Sequence, residues 1–149
     1  METTLILLKP DAVQRGLIGR ILTRFEDNGL QVVGCKLMLI SQELAAKQYE
    51  AHKERPFYPG LVRFMTSSPV LALALRGNGA ITIARNLMGA TFGSKANPGT
   101  IRGDFGVSSS DSPEAAEREI GLFFAKGEVQ NWPRSGDAWI YDMAGGKPE

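Results

Sequence analysis

Three short apolar runs restrict the fold of this chain most, because each is rich in residues that favour strands. They extend from Thr3 to Leu8, from Leu30 to Ile40 and from Val70 to Leu75, and such side chains suit the pleated surface of a sheet. Pro10 ends the first run and the turn Gly77-Asn78-Gly79 ends the third. All three are much shorter than the roughly 20 apolar residues that a membrane-spanning helix needs. The chain is therefore predicted to fold around a sheet and to have no transmembrane segment.

The segments between and after these runs have helical spacing, which predicts an α+β sandwich. One strand followed by one or two helices, repeated along the chain, favours a mostly antiparallel, four-stranded sheet with helices covering one face. The fourth strand is expected from Ile101 through Phe105 to Val107, which recur at even spacing. Ser41 and Ser112 are the expected N-caps of the second and last helices. The predicted helices are 18–28, 41–53, 59–65, 81–88 and 115–124.

Length, charge and cysteine content exclude several classes of protein. A chain of 149 residues that is 43% hydrophobic can bury a real core, so residues 1–149 are predicted to form a single domain. A net charge of +1 gives no overall attraction to nucleic acid or an acidic membrane, and neither is expected as a partner. Cys35 is the single cysteine, which excludes an internal disulfide, and we expect it to be buried. With no signal-peptide pattern at the start, a cytoplasmic location is expected.

Basic residues occur where predicted elements end, which indicates a local anion site. Lys9 follows the first strand, Arg85 precedes a glycine at the end of a helix, and Arg102 follows Pro98-Gly99-Thr100. Cations at element ends can converge on one phosphate chain, although isolated surface cations give the same pattern. The sequence has no P-loop motif and no histidine–carboxylate cluster at metal-binding spacing;. Its only histidine, His52, does not complete a hydrolase triad.

Six segments resemble the nucleoside diphosphate kinase family, and they occur in the family's order along nearly the whole chain. Agreement among several independent motifs is not explained by a chance match. The matching segments are Thr4 to Val13 (TLILLKPDAV), Tyr49 to Leu61 (YEAHKERPFYPGL), Arg85 to Gly89 (RNLMG), Pro98 to Phe105 (PGTIRGDF), Ser110 to Ser112 (SDS) and Ala116 to Phe124 (AEREIGLFF).

The resemblance implies a ferredoxin-like fold and a specific activity. Members of the family transfer the terminal phosphate of a nucleoside triphosphate to a nucleoside diphosphate by a ping-pong route through a phosphohistidine. Mg²⁺ is expected, bound mainly through the nucleotide phosphates. A homo-oligomer is also implied, either a hexamer or a tetramer, and the tail with Trp132 and Trp139 is a candidate contact region as well as a source of packing anchors.

The resemblance also assigns roles to residues that match the family's motifs. His52 matches a non-catalytic position and is expected to be exposed and structural. The other assignments compete with ordinary structural roles, such as a surface cation, a core aromatic or a solvated helix charge. The resemblance implies that the phosphates are contacted by Lys9, Arg85, Thr91 and Arg102. It implies that the base is contacted by Phe57 and Leu61, and the reacting histidine by Tyr49 and Glu119.

One departure from the family bears directly on catalysis. In the family, an asparagine, two apolar residues, the histidine and a glycine lie between the RGDF motif and the Ser-Asp-Ser motif. Here Phe105 is followed by Gly-Val-Ser-Ser and then by Ser110, so the resemblance implies that about seven positions are missing. Two explanations are open. In the first, the 149-residue sequence omits a segment that the native protein has, and the protein is an active kinase. In the second, the segment is truly deleted, and the protein is a catalytically inactive nucleotide-binding or scaffold protein.

Overall fold

The computed structural model describes residues 1–91, 93–107 and 116–141 of the chain. None of the helices in these ranges has both the length and the hydropathy needed to cross a bilayer. The strands are β1 (Glu2–Leu8), β2 (Gln31–Met38) and β3 (Val70–Gly77), and the helices are α1 (Pro10–Gln14), α2 (Ile18–Asp27), α3 (Gln42–Gln48), α4 (Tyr58–Thr66), α5 (Ala80–Met88), α6 (Ile101–Phe105), α7 (Ala116–Phe123) and α8 (Asp137–Ile140). Two 3₁₀ turns lie at Glu50–His52 and Gly93–Lys95.

The three predicted strands are confirmed, and they form an antiparallel sheet in the order β1-β3-β2. β3 is central and buried along nearly its whole length; it pairs with β1 from Leu71 opposite Leu8 to Gly77 opposite Glu2. The predicted cap of α3 is also confirmed, because Ser41 Oγ accepts a hydrogen bond of 3.1 Å from the backbone N–H of Leu44;. The predicted cap at Ser112 lies outside the described residues.

Helices pack on both faces of the sheet, so the prediction of a single covered face is wrong. Leu71, Leu73 and Leu75 of β3 contribute to a core with residues of α1, α2 and α5. The alternate residues of β3 contribute to a second core with residues of α3, α4 and α7. The side-chain period of two along a strand distributes one apolar run between two opposite cores.

The predicted fourth strand is also wrong, because Ile101–Phe105 is the helix α6. Thr100 Oγ1 caps this helix by accepting a hydrogen bond of 3.0 Å from the Gly103 N–H. Gly106 ends it with a left-handed φ of 61°;. Ile101 and Phe105 are four residues apart, and this spacing fits one face of a strand and one face of a helix equally well. The cap and the terminal glycine decide in favour of the helix.

Two further burial predictions are wrong. Cys35 is exposed, because the pairing of β2 with β3 shifts by one residue between Val32 and Gly34 and this shift reverses which side chains face outward;. Trp139 is 91% exposed and anchors nothing in the described part of the chain. Trp132 is 44% exposed, although its indole N–H donates a 3.1 Å hydrogen bond to the Val32 carbonyl.

Adjacent residues of α2 provide a test of this core assignment. Phe25 is fully buried, and Phe25→Ala should lower the free energy of unfolding by about 3–5 kcal/mol through lost burial and a residual cavity. Glu26 is exposed on the same helix, and Glu26→Ala should change it by less than about 0.5 kcal/mol. Urea denaturation measures both values, and equal effects of the two substitutions would contradict the proposed packing of α2.

Candidate functional site

The site is organised around Arg102, whose charged side chain is buried. Arg102 lies in the first turn of α6 and is only 5% exposed. Its Nη1 donates a hydrogen bond of 2.8 Å to the carbonyl oxygen of Gly89. Gly89 ends α5 with a φ of 85°, a conformation that favours glycine. The guanidinium therefore fixes the start of α6 against the end of α5, because a buried cation requires such partners.

A cleft of about 420 Å³ opens between the end of α5, the following loop and the start of α6. The described residues that line it include three cations and no carboxylate, so the cleft suits an anion. Arginine and lysine supply bidentate and point-charge contacts to phosphate, and threonine and asparagine add neutral donors. The lining residues are Arg85, Asn86, Met88, Gly89, Ala90, Thr91, Lys95, Asn97, Thr100 and Arg102.

Lys9 adds a further cation beside Arg102. It occupies the N-cap position of α1, directly after β1, and is only 4% exposed. Burial lowers the pKa of Lys9 from 10.5 to about 8; the Asp11 carboxylate opposes this shift and the Arg102 guanidinium adds to it. The effect of Arg102 on this pKa indicates that the two cations lie close together. An anion bound beside them would relieve their repulsion.

A second arginine holds the loop that leads into α6. Arg24 of α2 forms an ion pair of 2.9 Å with Asp104 Oδ2 and also donates to the carbonyl of Gly99. Asp104 Oδ1 accepts a 2.8 Å hydrogen bond from the Gly99 N–H. The backbone N–H of Gly99 and then Arg24 hold the pKa of Asp104 below its usual range;. Arg24 therefore attaches the end of the loop to α2, while Arg102 binds the start of the loop at Gly89.

Of the sequence-predicted residues, Arg85, Thr91 and Arg102 line the cleft. Lys9 does not line it but is near enough to Arg102 for the guanidinium to affect its pKa. The remaining four are not among the described residues that line the cleft. Phe57, directly before α4, is 54% exposed, and Leu61 on α4 packs against the second core. Tyr49 and Glu119 are 5% and 4% exposed, at the end of α3 and on α7 respectively.

Sequence reasoning missed Lys95, Asn97 and Thr100, which also line the cleft. They lie in the glycine-rich segment 89–99 or directly after it, which was expected to be only a loop. A cation and two polar side chains in a loop between two matched motifs could have indicated the site, because binding residues are concentrated on such loops.

Among the described residues that line the cleft, there is no histidine, cysteine, aspartate or glutamate to hold a metal ion. Across 1–91, 93–107 and 116–141, no group of three or more histidine, cysteine, aspartate or glutamate side chains is placed to hold one. Cations line the cleft, so a divalent ion would be repelled unless an anionic ligand carried it.

The comparisons with known proteins agree on one family. A family model described as nucleoside diphosphate kinase matches residues 2–129. The chain belongs to the nucleoside diphosphate kinase family. The nucleoside diphosphate kinase of a Synechococcus strain is 52% identical, and the alignment covers 95% of this chain and 100% of that relative. That of Archaeoglobus fulgidus is 47% identical, with 95% of this chain and 99% of the relative aligned.

Solved structures of the family have the same fold. A halophilic nucleoside diphosphate kinase from Halobacterium salinarum, in complex with CDP, superposes with a TM-score of 0.90 at 47% identity; 95% of this chain and 99% of that one are covered. A nucleoside diphosphate kinase family protein from Babesia bovis gives a TM-score of 0.89 at 43% identity, with 95% and 100% covered.

The alignment with the Synechococcus kinase also measures what this chain lacks relative to the family. The alignment spans 149 positions but uses 95% of this chain, which is about 142 of its 149 residues. About seven aligned positions therefore have no counterpart in this chain. This agrees with the roughly seven positions between Phe105 and Ser110 that the resemblance to the family implies are missing;.

A glycine substitution tests whether the loop geometry forms the cleft. A Cβ atom at Gly103 would lie 2.0 Å from the carbonyl oxygen of Asn97, so Gly103→Ala must displace backbone that lines the cleft. We expect a loss of about 1–3 kcal/mol in unfolding free energy and weaker binding of inorganic triphosphate. Gly19 of α2 has open space around its Cβ position, and Gly19→Ala should instead stabilise the protein by about 0.5–1 kcal/mol. Destabilisation by both substitutions in thermal melts would contradict this geometry.

The lowered pKa of Lys9 predicts how stability depends on pH. Between about pH 8 and pH 10.5 the unfolded chain retains a proton on this lysine that the folded protein has lost, so unfolding free energy rises with pH across this window. Below about pH 8 the folded protein carries the full cost of the buried charge. Lys9→Met should therefore stabilise the protein at pH 7, by an amount on the order of 3 kcal/mol, and this advantage should shrink as the pH approaches 10.5. Urea denaturation of both proteins at pH 7 and pH 10 checks this, and a Lys9→Met protein that is less stable at pH 7 would refute it.

Proposed function

We propose that this chain is a nucleoside diphosphate kinase that binds the phosphate chain of its nucleotide in the cleft between α5 and α6. The observation that carries the proposal is the group of three cations, Arg85, Lys95 and Arg102, which line the cleft without a carboxylate among the described lining residues. Lys9 lies beside Arg102 and adds charge. Phosphoryl transfer asks the protein mainly to position the phosphates and neutralise their charge. The CDP bound to the Halobacterium salinarum relative supports a nucleotide as the ligand.

The remaining roles in this proposal come from the family's motifs. Phe57, exposed before α4, stacks on the base with Leu61 beside it; any base offers a suitable face. Thr91 adds a hydroxyl contact to the phosphates. Tyr49 and Glu119 serve the reacting histidine, and a buried carboxylate such as Glu119 can orient an imidazole through its second nitrogen;. Mg²⁺ enters with the nucleotide, bound to its phosphates, and supplies further neutralisation of their charge.

The proposal extends to assembly, location and domain organisation. We place the protein in the cytoplasm, which agrees with a lone cysteine that forms no internal disulfide;. A homo-oligomer, hexamer or tetramer, would cover the exposed Leu37, Leu39 and Trp139;. We also propose one ferredoxin-like domain, since a single sheet contributes residues to both cores.

A second candidate is a nucleotide-binding protein that does not transfer phosphate. One observation favours it: the sequence has a single histidine, His52, and His52 is in the 3₁₀ turn before α4 rather than among the described residues lining the cleft. Without an imidazole beside the phosphates, the ping-pong route has no acceptor. A serine is a weak nucleophile without an adjacent base, and Ser108, Ser109 and Ser110 lie outside the described residues.

Incubation with a nucleoside triphosphate labelled at its terminal phosphate separates the two candidates. An active kinase takes up an acid-labile label and passes it to a nucleoside diphosphate. A binder takes up no label but gains thermal stability from the same nucleotide. An acid-stable label would instead indicate a serine acceptor. Absence of both label and stabilisation would refute the nucleotide site.

An insertion variant tests whether the rest of the site can support transfer. About seven residues that include the family's asparagine, two apolar residues, histidine and glycine would be added between Val107 and Ser110, with no residue removed. If the cleft is competent, this variant forms an acid-labile phosphoenzyme. The matched control carries glutamine instead of the inserted histidine and should remain unlabelled. An insertion variant that binds nucleotide but takes up no label would show that more than the histidine segment has been lost.

A further inference from the structure

The imidazole of His52 and the ring of Phe57 are in contact. Their ring centroids are 5.5 Å apart and their planes are inclined at 55°, within the range of tilted aromatic pairs. Phe57 is 54% exposed, whereas His52 is half-buried. The histidine therefore supports one side of an aromatic ring that otherwise lies largely in solvent.

Consecutive backbone hydrogen bonds fix the two residues relative to each other. The His52 N–H donates to the Tyr49 carbonyl at 2.9 Å, and the Arg55 N–H donates to the His52 carbonyl at 2.9 Å. The Phe57 carbonyl accepts a 3.0 Å bond from the Leu61 N–H in the first turn of α4. Tyr49 is buried in the second core, so this chain of turns is anchored at one end by the core and at the other by α4.

We propose that His52 is a positioning residue for nucleotide binding, which holds the Phe57 ring in the orientation that stacks on the base. This inference rests on the proposed function and adds a role for the histidine that the sequence analysis expected to be merely structural. An exposed aromatic side chain loses rotational freedom when a ligand stacks on it. A neighbouring ring that already restricts it reduces this loss, and affinity for the base increases accordingly.

A comparison of two ligands tests the proposal. Adenosine triphosphate and ribose 5-triphosphate have the same sugar and phosphates, but the second has no base. Calorimetry with Mg²⁺ present should show that His52→Ala weakens adenosine triphosphate about twofold to tenfold and leaves ribose 5-triphosphate unchanged. His52→Phe retains an aromatic neighbour and should bind both ligands like the wild type. If His52→Ala folds poorly, His52→Gln takes its place in the experiment, because glutamine keeps much of the side-chain volume without a ring. His52→Gln should then weaken adenosine triphosphate and leave ribose 5-triphosphate unchanged.

Phe57→Ala, measured with the same ligands, separates failure of this inference from failure of the proposed function. If the wild type binds neither ligand, the proposed function is wrong, and the role proposed for His52 is refuted as well. If Phe57→Ala weakens only adenosine triphosphate while His52→Ala changes neither ligand, the nucleotide site stands and the role of His52 is refuted. Equal weakening of both ligands by His52→Ala indicates a general structural role and refutes it as well.

Discussion

The hydrogen bond from the Arg102 guanidinium to the Gly89 carbonyl, at 2.8 Å, is the contact on which the arrangement of the site depends. It joins the start of α6 to the end of α5, and the cleft lies between these two ends. Burying a cation is costly unless hydrogen bonds and a polar surrounding compensate. The left-handed backbone of Gly89 and the Arg24–Asp104 pair on the outer side keep both ends in place.

The clustered cations show how a nearly neutral chain produces a strongly positive site. A net charge of +1 gives little long-range field, yet Arg85, Lys95 and Arg102 line one cleft and Lys9 adjoins it. Burial lowers the pKa of Lys9, and the nearby Arg102 guanidinium adds to this shift;. A polyanion bound there would convert this repulsion into attraction, so the arrangement trades stability for binding.

Phosphate binding and phosphoryl transfer make different physical demands on the protein. Phosphate binding requires convergent cations, which the described residues supply. Transfer through a covalent intermediate requires in addition a nucleophile at the reacting phosphate. The chain shares about half of its residues with relatives named nucleoside diphosphate kinase, but it lacks about seven aligned positions. The described residues form the cleft without those positions.

The sequence by itself determined the three strands and the Ser41 cap, because strand-forming runs and caps are local patterns. The family's motifs also pointed to Arg85, Thr91 and Arg102, which line the cleft. The sequence did not determine α6, since the four-residue spacing of Ile101 and Phe105 fits helix and strand alike;. Nor did it reveal the exposure of Cys35, which depends on a register shift between strands, or the contribution of Lys95 to the cleft. Only the tertiary structure decided these, because pairing register and the distance between side chains on different elements are set by packing that no local pattern encodes.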